Sequence, residues 1–207
     1  MKATFAVLVS NDICNAVRSL VWEIHQKYGT TMKASHLPPH ISVRPPVDVP
    51  DIADFDTYMD ELVRGLRPFP VHLTNLRVMP AMVDGRDSAL LWMEVKETPV
   101  LRQLHDRINE DFAARFARPR ADFGGHPYQF HLTLMFGGQP LSVYQRIYEE
   151  YAGRLSEMYC MAGELAMLVY DGQNHPNPDQ MTYKVLPFGG RGPGEADSSA
   201  SQNLTMV

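Results

Sequence analysis

The strongest constraint on the fold is a four-residue pattern that occurs twice. His40-Ile41-Ser42-Val43 and His131-Leu132-Thr133-Leu134 each read histidine, apolar, hydroxyl, apolar, and His131 follows His40 by 91 positions. Side chains alternate across a strand, so each stretch puts its imidazole and hydroxyl on one face and its two aliphatic side chains on the other. Pro38-Pro39 and Pro45-Pro46 bracket the first copy and exclude a helix there. The chain therefore needs two half-buried strands, one in each half, each carrying a short polar row. A third stretch, His72-Leu73-Thr74-Asn75, begins alike but has Asn75 at the fourth position and lacks the flanking turns. It shows how cheaply half of the pattern arises.

Periodicity supplies the elements around these strands. Ile13, Val17, Leu20, Val21, Ile24 and Tyr28 recur at steps of three and four, with Asn11 or Asp12 as cap and Gly29 as stop. Ile52, Phe55, Met59, Leu62 and Val63 make a second helix between Asp51 and Gly65. Residues 69–79 and 89–95 read as a hairpin around the turn at 84–88. Thr98-Pro99 then opens a helix through Leu101, Leu104, Ile108, Phe112 and Phe116. Residues 128–136 form a strand closed by Gly137-Gly138, and Ser142 caps a helix through Val143, Ile147 and Tyr151. Two strands, 164–170 and 181–186, finish the fold. The halves echo each other without a fixed-period repeat, which points to two sheet-and-helix lobes related by a pseudo-two-fold, with both polar rows facing one cleft. Residues 1–188 make this single domain; 189–207, rich in glycine and serine without an apolar period, make a flexible tail.

Composition narrows the function. With 207 residues, 44% of them hydrophobic, the chain can bury a real core, and its net charge of −5 disfavours wrapping duplex DNA. The apolar start, residues 3–9, is too short for a membrane span and poorly built as a signal peptide. Cys14 and Cys160 match no zinc spacing and no disulfide framework, so a reducing, cytoplasmic setting is expected. A monomer without a membrane partner is the accompanying expectation. There is no His-Glu-x-x-His and no carboxylate cluster beside either motif, so no metal and no cofactor are expected. Gly124-Gly125, Gly137-Gly138 and Gly189-Gly190 fit neither a P-loop nor a dinucleotide fingerprint and read as turns. His25 and His105 read as surface or boundary residues of helices, while His36 and His126 lie on the approaches to the two strands.

Pro38-Pro39-His40-Ile41-Ser42-Val43 and Phe130-His131-Leu132-Thr133-Leu134 together resemble the paired signatures of the 2H phosphoesterase superfamily, in particular its 2′-5′ RNA ligase-like, RNA 2′,3′-cyclic phosphodiesterase branch. The order of elements from about residue 3 to 187 is similar to that family's α+β fold. The resemblance implies two antiparallel sheets facing a central cleft, with helices outside.

The four polar residues suit the chemistry that this resemblance implies. Cleaving a phosphodiester needs a base for the attacking water and an acid for the leaving oxygen, and two imidazoles with an ordinary pKa of about 6.5 can serve as both. The hydroxyls of Ser42 and Thr133 can donate to the non-bridging phosphate oxygens. The resemblance assigns His131 as the base and His40 as the acid, although reversal of the reaction exchanges the roles. Many relatives carry a basic residue just beyond the second motif, where this chain has Met135-Phe136. Arg44 is the candidate to supply that charge. Tyr128, Phe130 and Phe136 are candidates either to stack a base or to pack in the core.

The implied substrate is a nucleotide or short RNA carrying a cyclic or 2′-5′ phosphodiester: a nucleoside 2′,3′-cyclic phosphate, an RNA end carrying one, ADP-ribose cyclic phosphate, a 2′-5′ oligoadenylate or a cyclic oligonucleotide. Two alternatives stand beside hydrolysis. One is an RNA 2′-5′ ligase acting on tRNA halves, against which the weak polyelectrolyte character counts. The other is a non-catalytic binding module, against which the proton-transfer pair counts.

Overall fold

The structure, a computed structural model, describes residues 1–49, 51–83, 85–120, 127–170 and 180–189. Strand β1 (Lys2–Leu8) leads into helix α1 (Asn11–Tyr28), a 3-10 turn (Lys33–His36) and two short strands, β2 (His40–Ser42) and β3 (Val47–Asp48). Helix α2 (Ile52–Arg64) precedes the hairpin of β4 (Phe69–Val83) and β5 (Arg86–Val95). Then follow α3 (Pro99–Phe116), β6 (His131–Phe136), α4 (Leu141–Tyr151), β7 (Met158–Ala162), β8 (Glu164–Tyr170) and β9 (Gln180–Pro187). No helix among the described residues is long and apolar enough to cross a membrane.

The caps account for two helix starts as expected. Asp51 accepts from the Ala53 amide at 2.9 Å and Thr98 from the Leu101 amide at 3.3 Å, each satisfying an amide that the helix leaves unpaired. The other two starts differ. Helix α1 already includes Asn11, with Ser10 at its cap position, and α4 starts at Leu141 behind Pro140 rather than from Ser142. The β4–β5 hairpin is tighter than the sequence suggests, since Val83 pairs with Arg86 across a two-residue connection in which Gly85 takes φ 71°. Residues 86–88 therefore belong to the strand. Strand β7 is an addition: its run Met158-Tyr159-Cys160-Met161-Ala162 is apolar on both phases and carries no alternation, yet it pairs with the first half of β4. The tail from residue 190, His126, His175 and Gly124-Gly125 lie outside the described residues.

The strands lie in the order β7-β4-β5-β6-β2-β1-β8-β9, all neighbours antiparallel, with β3 also on β1. Two lobes meet at β2 and β6. One lobe, β2-β1-β8-β9, carries α2 and α3, whose Phe55, Tyr58 and Phe112 rings surround Phe5 of β1 at 5.7–6.3 Å between centroids. The other, β6-β5-β4-β7, carries α4 on β4 and β5, with α1 against β6 and α4. The lobes are thus not the two halves of the chain. The terminal strands build one and the middle strands the other, and each lobe draws a helix from each half. The seam between them is a single register pair, Ile41 opposite Leu132, so the two sheets run on as one.

Candidate active site

The seam decides how the two polar rows meet. With Ile41 opposite Leu132 in an antiparallel pair, the next positions either way set His40 across from Thr133 and Ser42 across from His131. Ile41, Val43, Leu132 and Leu134 are buried, while His40, Ser42, His131 and Thr133 are half-buried on the opposite face. The four polar side chains therefore form a square, hydroxyls and imidazoles at alternate corners. Directly opposed side chains stand about 5 Å apart and diagonal ones about 7–8 Å. The diagonal belongs to the histidines, leaving room for a small tetrahedral group between them.

Both rings are oriented by the same device. His40 Nδ1 lies 2.8 Å from Pro38 O and His131 Nδ1 lies 2.8 Å from Gln129 O, each carbonyl two residues upstream. A carbonyl can only accept, so Nδ1 carries the proton and the neutral ring presents its Nε2 lone pair. His131 also lies on the buried Trp92 of β5, centroids 4.2 Å apart and planes at 27°. Burial lowers the pKa of both rings, and the neighbouring His131 lowers that of His40 further, while the carbonyl contacts oppose the shift. Two rings that disfavour each other's charge hold one proton more readily than two.

A cavity of about 330 Å³ opens beside the square. His40, Ser42, Thr133 and Phe136 line it together with Pro38, Pro39, Val17, Val21, Leu37 and Leu134; Tyr170, Gln180 and Arg18 complete much of the rest. His131 is not part of that wall and stands at its margin, across from Ser42. Among the described residues, no three His, Cys, Asp or Glu side chains gather where they could hold a metal ion.

Two expected site residues do not line the cavity, although Tyr128 lies beside the square with its ring 6.3 Å from that of His131. Arg44 is 1% exposed: Nη1 donates to Asn109 Oδ1 at 2.7 Å, Nη2 to Pro119 O at 2.8 Å, and the guanidinium lies 4.7 Å from the Phe112 ring. Alternation would have put it with His40 and Ser42, but β2 ends at Ser42 and the bend at 43–44 turns it toward α3. Tyr128 is also buried. Its ring stacks on His105 at 4.8 Å and its hydroxyl donates to Ser42 O at 3.0 Å, so it fixes the strand instead of lining the cavity.

His105, expected at a surface or boundary, is buried with Nδ1 2.7 Å from Val43 O. Thr4 Oγ1 donates to Arg44 O. Three successive carbonyls, Ser42, Val43 and Arg44, are thus each held by a side chain, from Tyr128, His105 and Thr4 in turn, as the chain leaves β2. Sequence reasoning missed Trp92, His105 and Arg18. Only Arg18 left a trace, as the polar residue beside Val17 and Val21 on α1.

The class defined by this arrangement is an antiparallel two-lobed fold with a histidine-hydroxyl pair from each lobe at the seam. The sequence profile of the 2′-5′ RNA ligase superfamily matches residues 9–174, spanning both motifs, and the chain belongs to that family of 2H phosphoesterases. The Thermus thermophilus protein TT0787 superposes with a TM-score of 0.64 over 93% of this chain and 100% of its own, at 13% identity. Escherichia coli LigT in complex with NADP+ gives 0.50 over 90% and 96%, at 14% identity, and LigT in complex with 3′-AMP gives 0.49 over 90% and 97%, at 14%. At such identities the likeness is one of fold. By sequence alone, no curated protein matches the chain significantly.

Proposed function

We propose that the chain is a metal-independent phosphodiesterase that hydrolyses 2′,3′-cyclic or 2′-5′ phosphodiester bonds of nucleotides or RNA ends, with His40 and His131 as the acid–base pair and Ser42 and Thr133 as phosphate ligands. The observation that carries this reading is the diagonal placement of two identically tethered imidazoles about a pair of hydroxyls. A phosphorus on that diagonal has one Nε2 toward the attacking water and the other toward the leaving oxygen, as in-line displacement requires. His131, propped on Trp92, takes the proton of water. His40, protonated once the anion is bound, gives its proton to the departing ribose oxygen.

The hydroxyls donate to the non-bridging oxygens as negative charge builds there. Neither is engaged by another side chain among the described residues, so both donors are available. The cavity's size and largely apolar wall favour one nucleoside over a long chain. LigT, solved with NADP+, holds a nucleotide in the same fold.

The test is turnover of nucleoside 2′,3′-cyclic phosphates and 2′-5′ dinucleotides in the presence of chelator. His40→Ala and His131→Ala should each lose about 10²–10⁴-fold in kcat while melting within a few degrees of the parent. Turnover within about threefold of the parent by either variant would overturn the mechanism.

A further inference from the structure

The proposed substrate is an anion, yet the square contributes no fixed charge: its hydroxyls are neutral, and burial disfavours protonation of both rings. An anion entering a mostly apolar cavity loses hydration that something else must replace. Met135 is buried and Phe136 is apolar, while Arg44 is committed to the core. Of the described residues lining the cavity, one side chain is charged at neutral pH, and it is Arg18 of α1; no carboxylate is among them.

Arg18 is also uncommitted among the described residues. Its helix neighbours three and four residues away are Cys14, Asn15, Val21 and Trp22, none of them acidic. No ion pair forms on it among the described residues, whereas Arg77, Arg102, Arg115, Arg120 and Arg154 each meet a carboxylate. It is exposed, but it projects from between two valines whose side chains form the adjacent wall. A guanidinium so placed has a flexible stem, donors arranged for two phosphate oxygens, and no internal partner to leave among the described residues.

We infer that Arg18 is the substrate's anion clamp: it reaches from α1 across the cavity mouth to bind the phosphoryl oxygens of a nucleotide held over Ser42 and Thr133. The inference rests on the reading of the cavity as a nucleotide site and adds its charge-recognition residue. Binding of the phosphate is then separable from binding of the base and ribose, which rest on the apolar wall.

The experiment measures calorimetric affinity of the full chain for adenosine 3′-monophosphate and for uncharged adenosine, with Arg18→Ala and Arg18→Lys beside the parent, at low and high salt. Loss of a charge-assisted phosphate contact should weaken nucleotide binding about 10- to 100-fold in Arg18→Ala. Arg18→Lys should fall between, because it keeps the charge without the planar fork. Adenosine affinity should not change, and the salt dependence of nucleotide binding should flatten in Arg18→Ala.

Equal nucleotide affinity in parent and Arg18→Ala would overturn the clamp while leaving the phosphodiesterase reading intact. Parallel loss of adenosine and nucleotide binding would overturn it too, by showing that Arg18 only shapes the wall. Failure of the parent to bind the nucleotide at all would remove the nucleotide reading itself, and the clamp with it.

Discussion

Removing the Arg44 guanidinium separates two roles that a basic residue next to β2 can have. In Arg44→Ala, Asn109 Oδ1 and Pro119 O lose donors at 2.7 and 2.8 Å, and Phe112 loses the cation 4.7 Å from its ring. Each hydrogen bond from a charged donor contributes about 1.5–3 kcal/mol, and a desolvated cation on an aromatic face about 2 kcal/mol. Against this stands the release of a buried charge whose Nε has no partner among the described residues and whose pKa burial already lowers. The net loss should be at least about 3 kcal/mol, which in a domain of this size lowers Tm by about 6–12 °C.

Arg44→Met, which keeps most of the stem packing and buries no charge, should lose less than Arg44→Ala. Thermal unfolding gives the first quantity; steady-state kinetics on a nucleoside 2′,3′-cyclic phosphate, below the variant's melting range, gives the second. KM should stay within about threefold of the parent. An unchanged Tm together with a KM raised about tenfold would refute the reasoning and return Arg44 to the substrate.

Other perturbations probe the remaining contacts. Trp92→Leu removes the support of His131 and should cut kcat about tenfold or more with little effect on KM, as misplacement of a reacting group does; equal losses in both would point to general loosening. Since burial lowers the rings of His40 and His131, the proposed acid–base pair, from their usual pKa of about 6.5, kcat/KM should peak on the acid side of neutrality, and an optimum at about pH 8 would contradict it. Burial also lowers His105, so the unfolded chain binds its proton more readily; its stabilising share is complete above about pH 6.5 and shrinks as pH falls toward the folded value. Urea midpoints measured at pH 7.5 and 5.5 should fall more steeply in the parent than in His105→Gln. In Gly138→Ala a Cβ at φ +75° would clash with Thr31 Cγ2, so the variant should lose more than about 1 kcal/mol in chemical denaturation.

What can be read from the chain alone is what depends on neighbours in sequence. Period-two alternation puts His40 with Ser42 and His131 with Thr133, away from their aliphatic partners, whatever the rest of the molecule does. The amphipathic stripes, the Asp51 and Thr98 caps and the Gly137-Gly138 stop are local in the same sense, and all appear where expected. Arg44 shows where that reasoning ends. Its face follows from a bend after Ser42 and from Asn109 of α3, 65 residues on, which no alternation encodes.

The register of β2 against β6, which makes the histidines diagonal instead of opposed, rests on a single cross-strand pair. The arrival of Arg18 at that cavity depends on α1 crossing to the lobe of the middle strands. Both are long-range choices, made by burying helix stripes against whichever sheet face fits them, and apolar burial is blind to sequence distance. The amino-acid sequence determines which side chains share a face, and tertiary packing alone decides which faces meet.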